Sequence, residues 1–399
     1  MFKPIYLDYA ATTPCDERVL AEMLPYFGEK FGNSSSSHYY GLSAFEDLSL
    51  AREKIAAIIN AEFDEIVFTS GATESTRIVI ERVCSKENVI ITLKTEHKSV
   101  FESCNLVKNS VFLDVLPNGL LDHNLLRENI VKHEAKLVSI CFINNETGVV
   151  QNVKEISKIC HEHGALLHID ATQALCKVPI DVKNLECDFI SASGHKIYGP
   201  KGVGLVYFNR KHYKLIKQKG ETNADPEFGI RGGTIPVPLC IGFCAACNIT
   251  NQEILDNLKH IENLRTILVN GIRKNLEEIY INGENPSNYP GIVNISFRGC
   301  EGEALMMEAS RICISSGSAC TSNRLTISHV LEAMNVLPDI AQSSLRISIG
   351  KNTSESDINI AIEDLVAATK KLRKMSPLWE MIKNGIDVNS VFKDSICHR

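Results

Sequence analysis

Phe189-Ile190-Ser191-Ala192-Ser193-Gly194-His195-Lys196 begins as a short apolar run and ends in small residues and a single lysine. Similar runs recur on both sides of it, at Ile66–Thr69, Val89–Thr92, Val111–Val115, Leu137–Ile143, Leu166–Asp170 and Val203–Phe208. Helical patterns separate them, and Ser-, Gly- and Asn-rich turns punctuate them. This alternation predicts an α/β fold with a mostly parallel sheet covered by helices on both faces. Ligands in such sheets bind beyond the carboxyl ends of the strands, where the polar motifs of this chain fall. After Pro238 the pattern changes. A helical stretch over 239–278 reads as a connector. A smaller α+β unit follows, with strands at Ile292–Phe297, Ile312–Ser315 and Leu345–Ile349 and helices from Glu303, near 326–335 and near 354–374. The expected division is a large domain over 15–255 and a small one made of 1–14 with 256–399.

Three motifs carry chemistry, each with a plain structural alternative. Lys196 at a strand's carboxyl edge can form a Schiff base with an aldehyde, or can be a surface lysine after a turn. His168-Ile169-Asp170-Ala171-Thr172-Gln173 ends another apolar run with a carboxylate. Asp170 suits the ring nitrogen of pyridoxal phosphate, whose protonated ring stores carbanion charge, but it equally suits a helix cap. Gln173 could donate to the ring oxygen. Thr69-Ser70-Gly71-Ala72-Thr73-Glu74-Ser75 opens a helix after a strand. It reads as a phosphate cradle or as an ordinary N-cap with Glu in the first turn. Cradle, acid and lysine in that order, each after a strand, make a stronger pattern than any one alone.

Composition narrows the class. The chain has 399 residues, 44% hydrophobic and 23% charged, with a formal net charge of −6. That is ordinary globular composition and not that of a nucleic-acid binder. No apolar run is long enough to span a membrane. The first residues, MFKPIYLDYA, have neither secretory nor transit character. Fourteen cysteines without a secretory signal suggest free thiols in a reducing compartment. Cys240, Cys244 and Cys247 share one face of an apolar helix and read as core packing, not as a metal cluster. His161 and His163, beside Gly164, read as helix C-terminal residues and not as ligands.

The sequence resembles the cysteine desulfurases of the IscS/NifS group, in the class V aminotransferase family of fold-type I pyridoxal-phosphate enzymes. The resemblance runs from about Tyr6 to Val391. It is carried by YLDYAATTP (6–14), EIVFTSGATES (65–75), TEHKSV (95–100), NNETGVVQ (144–151), HIDATQ (168–173), SGHKIYGPKGVG (193–204), RGGTIPVP (231–238), SSGSACTS (315–322), SSLRISIG (343–350) and SPLWEM (376–381). It implies that Lys196 binds the cofactor, Asp170 its ring nitrogen and Gln173 its ring hydroxyl. Ala72, Thr73, Ser193 and His195 would hold the phosphate. Thr234 would join them from the neighbouring subunit of a homodimer. His97 would stack on the ring and move protons. Asn145 and Arg346 would hold the carboxylate of L-cysteine, Arg346 by a two-pronged contact. Cys320, in a loop of small polar residues, would take the sulfur as a persulfide and deliver it to an iron–sulfur scaffold protein or another acceptor. No permanent metal is implied, although Cys320 could be a transient iron–sulfur ligand. The implied compartment is cytoplasmic in a bacterium and a mitochondrial-type organelle in a eukaryote.

The chain departs from the group in three loops. Asn223-Ala224-Asp225-Pro226-Glu227 replaces a triple-glycine run. Gly32-Asn33-Ser34-Ser35-Ser36-Ser37-His38 is one residue short and lacks a proline, and Thr76-Arg77 follows GATES where Asp-Asn is usual. None removes a catalytic group. The alternatives are a selenocysteine lyase, a class V aminotransferase without need of Cys320, and a non-enzymatic sulfur-pathway scaffold. The tail from Ser376, with Leu378 and the sole tryptophan Trp379, reads either as a partner-docking segment or as packing on the small domain.

Overall fold

The computed structural model describes residues 4–84, 87–217, 226–316, 327–386 and residue 388. Seven strands form the main sheet. From one edge to the other they run Ile66–Thr69, Gly204–Phe208, Phe189–Ser193, Leu166–Asp170, Leu137–Cys141, Val89–Leu93 and Asn109–Leu113. Gly204–Phe208 is antiparallel to both of its neighbours; the remaining pairs are parallel. Most of these strands are rich in β-branched and aliphatic residues and are buried along almost their whole length, as a sheet covered on both faces requires. Ile66–Thr69 and Leu166–Asp170 form with the bounds the sequence predicts. The run expected at Val111–Val115 pairs two residues earlier, where Val89–Leu93 supplies its register.

Pairing is different beyond the main sheet. Ser315–Ser316, Ser344–Ser348, Ile292–Phe297 and Ile279–Ile281 make an antiparallel sheet in that order. Ile5–Tyr6 runs parallel to Ile312–Cys313, and Leu7 lies in one apolar cluster with Ile261, Leu268, Phe297, Leu345 and Leu365. The helical stretch expected over 239–278 is two helices, Val237–Gln252 and Ile254–Asn275, parted at Glu253. The break has a physical reason: Glu253 pairs with Arg18 and Lys351, and the two helices bury their apolar faces in different clusters. Among the described residues no helix is long and apolar enough to cross a membrane.

Cys240, Cys244 and Cys247 are buried in the main core, and the described cysteines are free thiols. No group of three or more His, Cys, Asp or Glu among the described residues could hold a metal ion. His161 and His163 stand at the end of helix Val153–Glu162 as expected, and His161 bonds Asp188 at 2.8 Å. Of the two readings of Trp379, packing on its own fold is the one the structure supports. Its ring is buried, lies 3.9 Å from the Arg373 guanidinium, and packs on the Gly299 backbone so closely that a Cβ there would meet it at 2.6 Å. Trp379 is core material, held by stacking with Arg373.

Candidate active site

A cavity of about 600 Å³ opens where the parallel strands end. Its walls come from the turns after Thr69, Leu93, Cys141, Asp170 and Ser193. Ala72, Thr73, His97, Asn145, Asp170, Gln173, Ser193, His195, Lys196 and Arg346 all line it. Residues as far apart in sequence as Ala10 and Arg346 meet here, around the neighbouring ends of the parallel strands. Thr234 is exposed and does not line this cavity. Cys320 lies outside the described residues.

The cradle is built from backbone. Helix Ala72–Val83 starts at Gly71 with no side-chain cap. The N–H groups of Ala72, Thr73 and Glu74 find no acceptor among the described residues, which leaves the positive end of the helix free to hold an anion. Gly204 makes this wall possible. A Cβ on it would stand 2.7 Å from the Gly71 Cα and 2.4 Å from the Ala192 carbonyl oxygen. The Glu74 carboxylate accepts from the Ser70 N–H and pairs with Arg231 at 3.3 Å.

Lys196 donates to the carbonyl oxygens of Ala10 at 2.6 Å and Ala11 at 2.7 Å. Asp170 is buried, and its Oδ1 accepts from the N–H and hydroxyl of Thr172. Its Oδ2 accepts no hydrogen bond among the described residues. Gln173 donates from Nε2 to the Ala10 oxygen at 2.8 Å and accepts at Oε1 from Lys177 at 2.6 Å. Burial, then the charge of Lys196, pushes the Lys177 amine down to about 7. His97 accepts at Nδ1 from the Ser99 N–H, so in its neutral form the proton is on Nε2. Burial first, with Lys196, His329 and Arg346, holds the His97 imidazole below its ordinary range, against the pull of Asp170. His195 bonds Thr12 through Nδ1 and is pushed down to about 4, chiefly by burial.

At the far wall Arg346 donates to the Asn145 carbonyl oxygen at 3.1 Å, to Asp8 at 2.7 Å and to Ser315 at 3.2 Å, while its buried Nε has no partner among the described residues. Asn144 holds this turn, with its Oδ1 accepting from the N–H groups of Glu146 and Thr147. Sequence reasoning missed Asp8, Glu96, Thr172 and Lys177. Asp8 and Glu96 sat inside quoted motifs, but nothing in a lone acidic residue signals a partner hundreds of positions away. Glu96 is buried directly before His97. It accepts from the Cys141 N–H, and burial pushes its carboxyl up to about 8.

An anion cradle, a buried carboxylate with a free oxygen, and a lysine amine in one cavity fit a phosphorylated pyridine aldehyde. The family profile described as aminotransferase class-V matches residues 5–360. The chain is 43% identical over 400 residues to a protein named cysteine desulfurase IscS from Ehrlichia chaffeensis, covering 98% of this chain and 97% of that one. It is 45% identical to a probable mitochondrial cysteine desulfurase of Dictyostelium discoideum, covering 98% of this chain and 88% of the other. Among solved structures, a NifS-like protein from Rickettsia africae superposes with a TM-score of 0.84 at 29% identity, over 92% of this chain and all of that one. A structure titled SspA in complex with cysteine superposes with a TM-score of 0.77 at 30% identity, over 88% of this chain and all of the other.

Proposed function

Because the chain belongs to the aminotransferase class-V family, we propose that it is a pyridoxal-phosphate-dependent cysteine desulfurase, converting L-cysteine to L-alanine and supplying the sulfur for iron–sulfur cluster assembly. The observation that carries this reading is the convergence of cradle, Asp170, His97 and Lys196 on one cavity. The cofactor, when bound, stores the electron pair released at the substrate Cα. Ala72, Thr73, Ser193 and His195 hold its phosphate. Thr172 keeps one Asp170 oxygen occupied, and the other would be left to hold the ring nitrogen.

Lys196 anchors the group and then moves the Cα proton. Neutral His97, with its proton on Nε2, serves as donor at the cavity face. Arg346 binds the substrate carboxylate beside Asn145, and Asp8 fixes the guanidinium. Cys320 attacks the substrate sulfur as a thiolate. An S–S bond forms, the carbon–sulfur bond breaks, and the carbon takes a proton to finish as alanine. The thiol then passes the sulfur to an acceptor such as an iron–sulfur scaffold protein.

Two structural readings accompany this one. Residues 15–255 form the cofactor-holding body, and 1–14 with 256–399 form the smaller one that carries Cys320; the clustering of Leu7 with Ile261 and Leu365 supports that division. The enzyme is a homodimer in which Thr234 reaches the partner's cradle, which accounts for its exposed position away from this chain's own cavity. The test is spectroscopic. The purified protein should absorb in the visible, and borohydride should fix the chromophore to Lys196. A Lys196→Ala protein that retained the same reducible chromophore would overturn the assignment.

A further inference from the structure

Gln173 is held at both ends. The Ala10 carbonyl oxygen can only accept, so the Gln173 atom 2.8 Å away must be Nε2. Oε1 then points inward, where it needs a donor. Lys177, four residues on, supplies that donor at 2.6 Å, and its amine has an N–H to give in either protonation state. The same Ala10 oxygen accepts from Lys196 at 2.6 Å, so one carbonyl ties Gln173 to the cofactor lysine.

Lys177 is itself placed with care. Its amine lies 5.6 Å from the centre of the buried Tyr289 ring. The preceding Cys176 takes a left-handed φ of 54° while its thiol contacts the Cys247 carbonyl, a conformation that packing must impose on a non-glycine residue. The direction of the Gln173 amide is thus decided by the Ala10 carbonyl at the cavity wall and by Lys177, which does not line the cavity.

We infer that Lys177 is a positioning residue that locks Gln173 as a hydrogen-bond donor toward the cofactor's ring oxygen. This rests on the pyridoxal-phosphate reading above. Without Lys177 the buried Oε1 loses its donor, and the amide gains by rotating to seek another. The ring oxygen then loses a donor that stabilises its anionic form. The bound chromophore therefore holds its proton to higher pH.

The experiment uses the loaded enzyme and reads the pH midpoint of its visible absorption band, with the dissociation constant for pyridoxal phosphate measured on the apoprotein. Lys177→Met should raise the midpoint by about half a unit to one unit, the worth of one hydrogen bond, and weaken cofactor binding several-fold. Gln173→Met should do the same, and the double variant should match Gln173→Met alone. An unchanged midpoint in Lys177→Met, or shifts that add in the double variant, overturns the inference. If the single variant does not fold, Lys177→Met in the Gln173→Met background carries the test: a further shift overturns the inference, and silence supports it. A wild-type protein with no chromophore reducible onto Lys196 refutes the functional reading instead.

Discussion

Glu96 has one carboxylate oxygen on the Cys141 N–H, and the other is buried with no partner among the described residues. Burial, reinforced by the charge of Asp170, raises its carboxyl to about 8 from an ordinary 4.5. Below pH 4.5 the folded and unfolded chains both carry this proton. Between 4.5 and 8 the unfolded chain gives it up and the folded one keeps it, so this group's contribution to stability falls as pH rises. Urea unfolding of wild type and Glu96→Gln across that window should show the wild type losing ground, on the order of 1.4 kcal/mol per pH unit where the slope is full. A pH-independent difference would contradict the buried neutral acid. No sequence pattern signals this group, because its character comes from burial alone. The same holds for Asp8, which meets Arg346 across 338 positions. Lys196, Asp170 and Gln173 were legible because their strand-end positions recur in order and their residue types match one cofactor's needs.

Arg52 and Glu227 form a buried pair between the helix Tyr39–Ile58 and the segment entering RGGT. Glu227 also accepts from the Phe68 N–H, and Arg52 donates to the Ile66 carbonyl, so the pair clasps the strand that leads into the cradle. Glu227 and Phe228 both take left-handed φ values, and Phe228 stacks on Arg52. The loop Asn223–Glu227 departs from its family at its start, and those first residues lie outside the described ones. Its last residue anchors the cradle strand. Glu227→Ala should cost about 3–5 kcal/mol in denaturant unfolding, because it strands a buried guanidinium; Arg52→Met with Glu227→Ala should recover part of that loss. Equal costs for the single and double variants would deny the pair. At this scale the strands were legible from apolar runs and turns. The break at Glu253 was not, since no proline or glycine marks it and only tertiary partners separate the two helices.

Trp379 shows how the whole molecule can override a local signal. An aromatic residue on a polar tail suggests a partner, yet here Arg373 and Gly299 enclose it. Trp379→Ala should therefore cost about 3–5 kcal/mol of stability and leave sulfur transfer from the intact fold unchanged; lost acceptor binding at undiminished stability would restore the docking role. Phe27, Phe31, Tyr39 and Phe45 instead present exposed aromatic surface. In the proposed reaction sulfur leaves cysteine onto Cys320 in a site built around Lys196. The decisive measurement treats the protein with L-cysteine, alkylates it, and weighs each cysteine-containing peptide while alanine is counted. The expected result is an added sulfur on the Cys320 peptide and a collapse of alanine formation in Cys320→Ser, which should still bind the cofactor. Undiminished alanine from Cys320→Ser, or the sulfur arriving first on another cysteine, would contradict it.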